Sequence, residues 1–408
     1  MRQIQLNNIA MTNRPEEADT VIINTCGFIE AAKEESVNTI LNAVALKNEG
    51  KLKKVIVAGC LSERYKEDLI KDIPEVDIYF GTENYEGIIN ELGGTLKYNL
   101  LGERLLSTPS HTSYLKISEG CDHPCSFCAI PIMRGKHKSK PIDELIKEAE
   151  FLAANNTKEL ILIAQDTTDY GKDLPGEKNL PHLLRELSKI DEIEWIRIMY
   201  AYPSRFQTDL MEEIAFNQKI CKYIDIPLQH ISDNVLRSMR RGVTGSQTRK
   251  LLKELRTRIP GVTLRTTFIV GYPNETEKEF EELCEFVREI QFDRIGTFTF
   301  SVEENTSSFI LGDPVAKNVK EKRKDILMEI QKEISHKNNS KFVGKKLKVL
   351  VEALEGDFYI GRSYRDAPEV DGEVLIDKRD NKLNIGDFYD VDVYDYNEYD
   401  LFAEILKN

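Results

Sequence analysis

From residue 112 to residue 302 the chain alternates short apolar runs with charged, helix-periodic runs, and it does so six times. The apolar runs are TSYLKISEG, ELILIAQD, WIRIMYAYP, CKYIDIPLQ, TLRTTFIVGYP and RIGTFTFSV. Between them lie segments such as PIDELIKEAEFLAANN, LPHLLRELSKI and TEKEFEELCEFVREIQ, whose apolar residues recur at three- and four-residue steps. Strands apolar on both faces need cover on both faces, the pattern of a parallel sheet with helical crossovers. Six βα units predict a partial (β/α)6 barrel with its site at the carboxyl ends of the strands.

The flanks differ in texture. In residues 1–100, ADTVIINTCGF, KKVIVAGCL and VDIYFGT read as strands separated by the helix-like EAAKEESVNTILNAVALKNEG and SERYKEDLIKDIP. They predict a smaller parallel sheet, with Cys26 and Cys60 at the carboxyl ends of its first two strands, where such sheets place ligands. LGERLLSTPSH (101–111) reads as a linker. Beyond a charged helix at 317–337, the runs KLKVLVEA, FYIGRSY, GEVLIDK and YDVDVYDY alternate at period two, broken by EGD, EVDG and NIGD. That pattern predicts a small antiparallel β-barrel. The expected fold class is α/β in three domains: 1–100, 107–338 and 339–408.

No stretch approaches 18 apolar residues, and the first twenty lack a signal-peptide core, so a cytoplasmic protein without a membrane partner is expected. The net charge of −13 disfavours nonspecific attraction to nucleic acid and favours a basic partner. The bias is also local. From Lys341 to Asn408 there are 16 Asp and Glu against 10 Lys and Arg, a balance of −6. A domain gripping RNA phosphates needs the opposite sign.

Seven cysteines in a chain of this size point to metal ligation or core thiols, not to a disulfide framework. Three of them, Cys121, Cys125 and Cys128 in EGCDHPCSFCAIPIMRG, follow the first barrel strand directly with the spacing CxxxCxxC. Structural zinc wants four closed ligands, here completed by His123 or His137. A 4Fe–4S cluster held by three thiolates instead leaves one iron open to a small molecule. Cys221 and Cys284 sit in strand and helix interiors and read as core thiols. Without further information Cys26 and Cys60 read the same way.

CxxxCxxC in the first βα loop of a partial barrel, with Phe127 before the last cysteine, resembles the radical S-adenosylmethionine superfamily. ADTVIINTCGFIEAAKEES and VIVAGCLSER resemble the amino-terminal domain of its methylthiotransferases, FIVGYPNETEKEF their fifth-strand segment, and the terminal barrel a TRAM domain. Within that family, QDTTDYGKD (165–173), YAYP (200–203) and GRSYRDAPEVDG (361–372) resemble the ribosomal-protein aspartate methylthiotransferases. The tRNA-modifying branch, the next reading, carries a GQNVNSYG-like segment in place of AQDTTDYG. A non-catalytic iron–sulfur scaffold is the alternative of another class.

The resemblance implies two 4Fe–4S clusters and S-adenosylmethionine. Cys121, Cys125 and Cys128 would bind the cluster that cleaves S-adenosylmethionine to a deoxyadenosyl radical. Cys26 and Cys60 would bind an auxiliary cluster associated with sulfur delivery. The substrate would be an aspartate of small-subunit ribosomal protein twelve, methylthiolated at its β-carbon, with a flavodoxin- or ferredoxin-like reductant. The family's amino-terminal domain carries a further cysteine in an early GCSKN-like motif. This sequence has no cysteine before Cys26, and MRQIQLNN resembles the middle of the helix that follows that motif. The amino-terminal domain is therefore expected to be truncated, with a misassigned start favoured over a true loss, and occupancy of its cluster is open.

Gln165 and Asp166 end the second barrel strand and Gln229 the fourth, so all three are expected to contact S-adenosylmethionine or substrate. His230 reads equally as a structural histidine. Gly271 serves a turn or a close approach to the cofactor. Arg134 and its neighbours in MRGKHKSKP either guide an acidic group or RNA, or are simply solvated.

Overall fold

The computed structural model describes residues 1–97, 104–106, 109–176, 179–379 and 382–406, so the expected linker at 101–111 lies partly outside the described residues. The chain divides into two compact units. One comprises Met1–Leu105, Glu119–His137 and Ser301–Ile310; the other comprises Leu106–Ser118, Lys138–Phe300 and Leu311–Asn408.

The first unit is built on a parallel three-stranded sheet of β1 (Thr20–Thr25), β2 (Lys54–Gly59) and β3 (Ile78–Tyr79), in that order. The third strand is shorter than VDIYFGT suggested. The helices Glu30–Asn48 and Cys60–Asp72 cross between successive strands, as parallel pairing requires. Their apolar faces bury Ile40, Val44, Leu61 and Leu69 against Val55 and Val57 of the central strand.

The second unit carries six parallel strands in sequence order: β4 (Thr112–Lys116), β5 (Glu159–Ile163), β6 (Trp195–Ile198), β7 (Ile220–Asp225), β8 (Thr263–Val270) and β9 (Arg294–Thr299). Each occupies one of the six apolar runs. The sheet is open, a partial barrel, and its core is continuous from Leu115 to the helix Lys317–Ser340. Local signals start the crossover helices cleanly. Thr276 and Glu279 form a capping box at Glu277–Ile290, and Thr244 and Gln247 form another at Gly245–Arg258.

The terminal segment is a closed barrel of β10 (Lys346–Glu355), β11 (Phe358–Ser363), β12 (Val374–Asp377), β13 (Phe388–Tyr396) and β14 (Leu401–Ile405). It differs from the expected antiparallel barrel in two respects. A fifth strand follows the four legible ones, because a turn at Asn397–Asp400 with no glycine or proline separates β13 from β14. The pair β12–β14 is parallel. A ring of five strands cannot alternate direction all the way round, so one parallel contact is obligatory.

The terminal barrel covers the amino ends of the parallel strands. Arg362, Asp366 and Phe388 meet Glu159, Arg294 and Trp195, the first residues of β5, β9 and β6. Leu350 and Ala367 complete a buried cluster with Ile161, Met199, Cys221 and Tyr223. GRSYRDAPEVDG is therefore a docking segment: Arg362, Ser363, Arg365 and Asp366 are all buried. The carboxyl ends of the strands are left to the βα loops.

Candidate functional site

In the first unit, the cysteine loop is closed at its neck. The Cys121 amide donates to the Gly135 carbonyl over 3.1 Å. Gly120, at φ +76°, lies so close to the Lys136 carbonyl that a Cβ there would collide with it. Within the loop, the Cys128 amide donates to the Cys125 carbonyl (3.2 Å), and the short helix Ile130–Arg134 leads back to the neck. Cys121, Cys125 and Cys128 are all partly buried. Three soft sulfur donors on one short closed loop fit a cluster that needs three thiolates and keeps one iron for another ligand.

Cys26 and Cys60 lie just past β1 and β2, as expected, and Cys60 also begins the helix Cys60–Asp72. Two glycines bring these strand ends together. A Cβ on Gly59, whose φ is +107°, would stand 2.5 Å from the Thr25 carbonyl. A Cβ on Gly27 would stand 2.9 Å from Leu61 Cα. Each glycine removes a side chain that would force the two cysteine-bearing turns apart. The Ser36 hydroxyl ties down the first turn, accepting from the Cys26 amide (3.0 Å) and donating to its carbonyl (3.1 Å). This cradle presents two sulfur atoms.

Two further features of this unit escape sequence reading. Residues 301–310, leaving the last barrel strand, form a strap. Its Glu303 carboxylate is buried between Arg64 (2.8 Å) and Lys33 (3.3 Å), and the Ser308 amide donates to the Ser126 carbonyl inside the cysteine loop (2.8 Å). Arg134 is not a solvated loop cation. Its guanidinium lies 3.6 Å from the Glu119 carboxylate. Burial opposes its charge, but Cys60 and Glu119 outweigh that, and its affinity for the proton rises.

In the second unit, Gln165 and Asp166 follow β5, Tyr200 follows β6 and Gln229 follows β7, all at the carboxyl side of the sheet. Asp166 is buried and works locally: its carboxylate accepts from the Thr168 amide (2.8 Å) and hydroxyl (2.6 Å). That hydroxyl accepts from the Tyr202 amide (3.2 Å), which stitches two βα loops together. Gln229 has φ +72°, strained for a residue with a Cβ, although its amide and carbonyl extend the β8 ladder through Thr267 and Ile269. Its Oε1 is buried with no hydrogen-bond partner among the described residues, an acceptor suited to a ligand donor. Tyr200 is strained in the same sense (φ +59°), which YAYP gave no means of foreseeing.

The remaining candidates are structural in their surroundings. His230 is fully buried; its Nδ1 accepts from the Ser232 amide, and its Nε2 lies 3.3 Å from the Glu275 carboxylate. Gly271 has φ +74° and packs over Lys320, whose ammonium donates to the Phe300 carbonyl. Cys221 and Cys284 are buried, and burial pushes their thiols up to about 12 and about 11.

With this geometry in hand, comparison with known proteins is informative. A model of the Radical SAM superfamily matches residues 115–287, one of the TRAM domain residues 343–406, and one of the uncharacterized protein family UPF0004 residues 1–81. Ribosomal protein uS12 methylthiotransferase RimO of Christiangramia forsetii is 52% identical over 407 residues, covering 100% of this chain and 90% of that protein. The protein of the same name from Chloroherpeton thalassium is 51% identical over 409 residues, covering 100% and 94%. Among solved structures, the radical S-adenosylmethionine methyltransferase TsrM from Kitasatospora setae, with cobalamin and a 4Fe–4S cluster bound, shares the fold. Its TM-score is 0.54 at 14% identity, over 71% of this chain and 65% of that one.

Proposed function

The chain belongs to the RimO family of ribosomal protein uS12 methylthiotransferases, and we propose from that membership how its own residues divide the work. It is a radical S-adenosylmethionine enzyme that methylthiolates uS12. In our reading the acceptor is the β-carbon of an aspartate side chain. Cys121, Cys125 and Cys128 would hold a 4Fe–4S cluster that leaves room for S-adenosylmethionine. When bound, the cluster supplies the electron that cleaves S-adenosylmethionine to the hydrogen-abstracting radical.

The protein residues bind, orient and exclude water. The neck between Cys121 and Gly135 fixes the three sulfurs relative to one another. Gln229 offers its buried carbonyl oxygen to S-adenosylmethionine or substrate, and Gln165 lines the same end of the sheet. Asp166 fixes the loop that carries Gln165 through Thr168. Cys26 and Cys60 would hold an auxiliary cluster associated with sulfur delivery, with a flavodoxin- or ferredoxin-like protein as reductant. The acidic terminal barrel suits a basic ribosomal protein by charge complementarity. The functional boundaries are 1–100, 107–338 and 339–408.

The closed three-cysteine loop carries this reading. The test is anaerobic reconstitution with iron and sulfide, then incubation with S-adenosylmethionine, dithionite, purified uS12 and tRNA. Deoxyadenosine and a methylthio mass gain on uS12 are expected. Deoxyadenosine with the gain on tRNA instead would assign the other substrate.

A further inference from the structure

We infer that a cleft at the amino ends of β8 and β9 is an oxyanion site, with Arg365 as its floor and phosphate as the class of ligand it takes. The cleft lies wholly within the second unit, and the inference stands apart from the cluster assignments.

The Arg365 guanidinium carries it. The side chain is 1% exposed, and neither terminal nitrogen has a hydrogen-bond partner among the described residues. Its two acidic neighbours are engaged elsewhere. Asp366 gives one oxygen to Arg294 (2.6 Å) and the other to the Ser363 hydroxyl (2.7 Å). Asp293 comes no closer than 3.7 Å, outside hydrogen-bond reach, and its other oxygen accepts from the Leu264 amide (3.0 Å). The guanidinium carbon lies 3.7 Å from the centre of the Phe342 ring, a stacked contact that fixes the plane of the fork and uses none of its N–H groups. Burial and the adjacent Arg294 outweigh the nearby carboxylates and lower the proton affinity of Arg365 below the ordinary arginine value. A buried cation left in this state costs stability until something pairs with it.

The charge around the floor has one sign. The cleft has a volume of about 500 Å³. Arg256, Lys341, Lys345 and Lys346 line it with Arg365 against the single carboxylate of Asp293, a balance of +4 in a chain of net −13. The four rim cations are exposed. Arg256 and Lys341 donate to acceptors without charge, the Gln291 carbonyl (2.9 Å) and Asn338 Oδ1 (2.7 Å). The Lys345 ammonium lies 5.0 Å over the same Phe342 ring. Such a rim draws in a multiply charged anion, and a flat fork below it selects two oxygens side by side. A carboxylate satisfies the fork but carries too little charge for the rim; phosphate satisfies both. At 1% exposure the floor is reached as the exposed rim side chains give way and then close over the ligand. The site is at the end of the sheet opposite Gln165 and Gln229, so it is separate from the place where the chemistry is proposed.

The test is calorimetric titration of the reconstituted full chain with inorganic phosphate, pyrophosphate and a short single-stranded RNA, at matched ionic strength. Pyrophosphate is expected to bind at a single site, and phosphate more weakly at the same site. Arg365→Gln is expected to weaken binding roughly tenfold or more, the worth of a charge-assisted hydrogen bond. Arg365→Lys, which keeps the charge and loses the fork, is expected to fall between. Lys345→Gln with Lys346→Gln changes only exposed side chains and is expected to weaken binding severalfold, which reads the site even if a change at Arg365 unfolds the chain. RNA that competes with pyrophosphate and needs the same residues identifies the ligand as a phosphodiester backbone; pyrophosphate binding without RNA binding identifies a small phosphate compound. A parent protein that binds none of the three overturns the inference. So does binding that both Arg365→Gln and the lysine pair leave unchanged.

Discussion

Arg362 of the terminal barrel donates to Glu159, the first residue of β5, over 2.6 Å, and neither side chain is more than 3% exposed. Arg197 reaches the other oxygen of the same carboxylate over 2.8 Å. Burial alone would raise the Glu159 pKa, but the two guanidinium groups outweigh it and hold the carboxyl below its ordinary value. Glu159→Gln would leave two arginines buried around a neutral amide. A loss of about 3–5 kcal/mol is expected, from the cost of an uncompensated buried charge. Urea denaturation measures the loss, and limited proteolysis should show the terminal barrel released first.

The neighbouring Glu352 gives a pH signature. Burial raises its pKa, but the His111 imidazole 3.5 Å away and the hydrogen bonds from Arg362 outweigh it and hold the carboxyl at about 2, against 4.5 ordinarily. A carboxyl depressed by folding stabilises the native state fully above its unfolded pKa and loses that contribution as pH falls. The window is therefore pH 4.5 down to 2, and the contribution is ~3 kcal/mol. Glu352→Gln should weaken the protein at pH 7, with its urea midpoint converging on the parent's as the pH drops below 4. Parallel curves would contradict this.

Thiol reactivity should separate the cysteines. Cys26 is exposed, whereas Cys221 and Cys284 are buried and held as thiols. Brief alkylation of metal-free native protein at pH 8, mapped by mass spectrometry, should modify Cys26 and spare Cys221 and Cys284. After denaturation all should react.

Replacing Cys125 by alanine leaves the first set two thiolates and should abolish deoxyadenosine production. Iron content should fall by the share of one cluster, and circular dichroism should stay unchanged because Cys125 is not in the core. Unchanged turnover would remove the loop from the chemistry.

Charge on the terminal barrel should act on encounter with substrate. Asp390→Asn with Asp395→Asn removes two exposed carboxylates. KM for uS12 should rise severalfold with kcat little changed, and the difference should vanish in high salt. Equal KM at low salt would make that acidic surface irrelevant to uS12.

The parallel sheets were legible because their strands are continuous apolar runs and the helices between them keep a 3.6-residue period. Both are local patterns. The cysteine loop was legible because its ligands lie within eight positions. Less was visible where partners are distant in sequence. Nothing in MRGKHKSKP directs Arg134 toward Glu119, and nothing in SVEENTSS marks Glu303 as the partner of Lys33 and Arg64. GRSYRDAPEVDG served as a fingerprint, yet its charges are spent inside the protein against β5, β7, β8 and β9. The positive φ at Tyr200 and Gln229 had no sequence cue, since glycine, the usual occupant, is absent there.

The strap also sets a timetable for biosynthesis. Cys26, Cys60 and the three loop cysteines are all synthesised before residue 129, yet the unit that houses them is completed only by Ser301–Ile310. At about 5–20 residues per second, the gap is on the order of ten seconds or more. Through that interval five thiols await the segment that seats Glu303 between Lys33 and Arg64. Completion of the first unit is therefore a late event in the life of the nascent chain, and the barrel strands are made before the segment that finishes the unit.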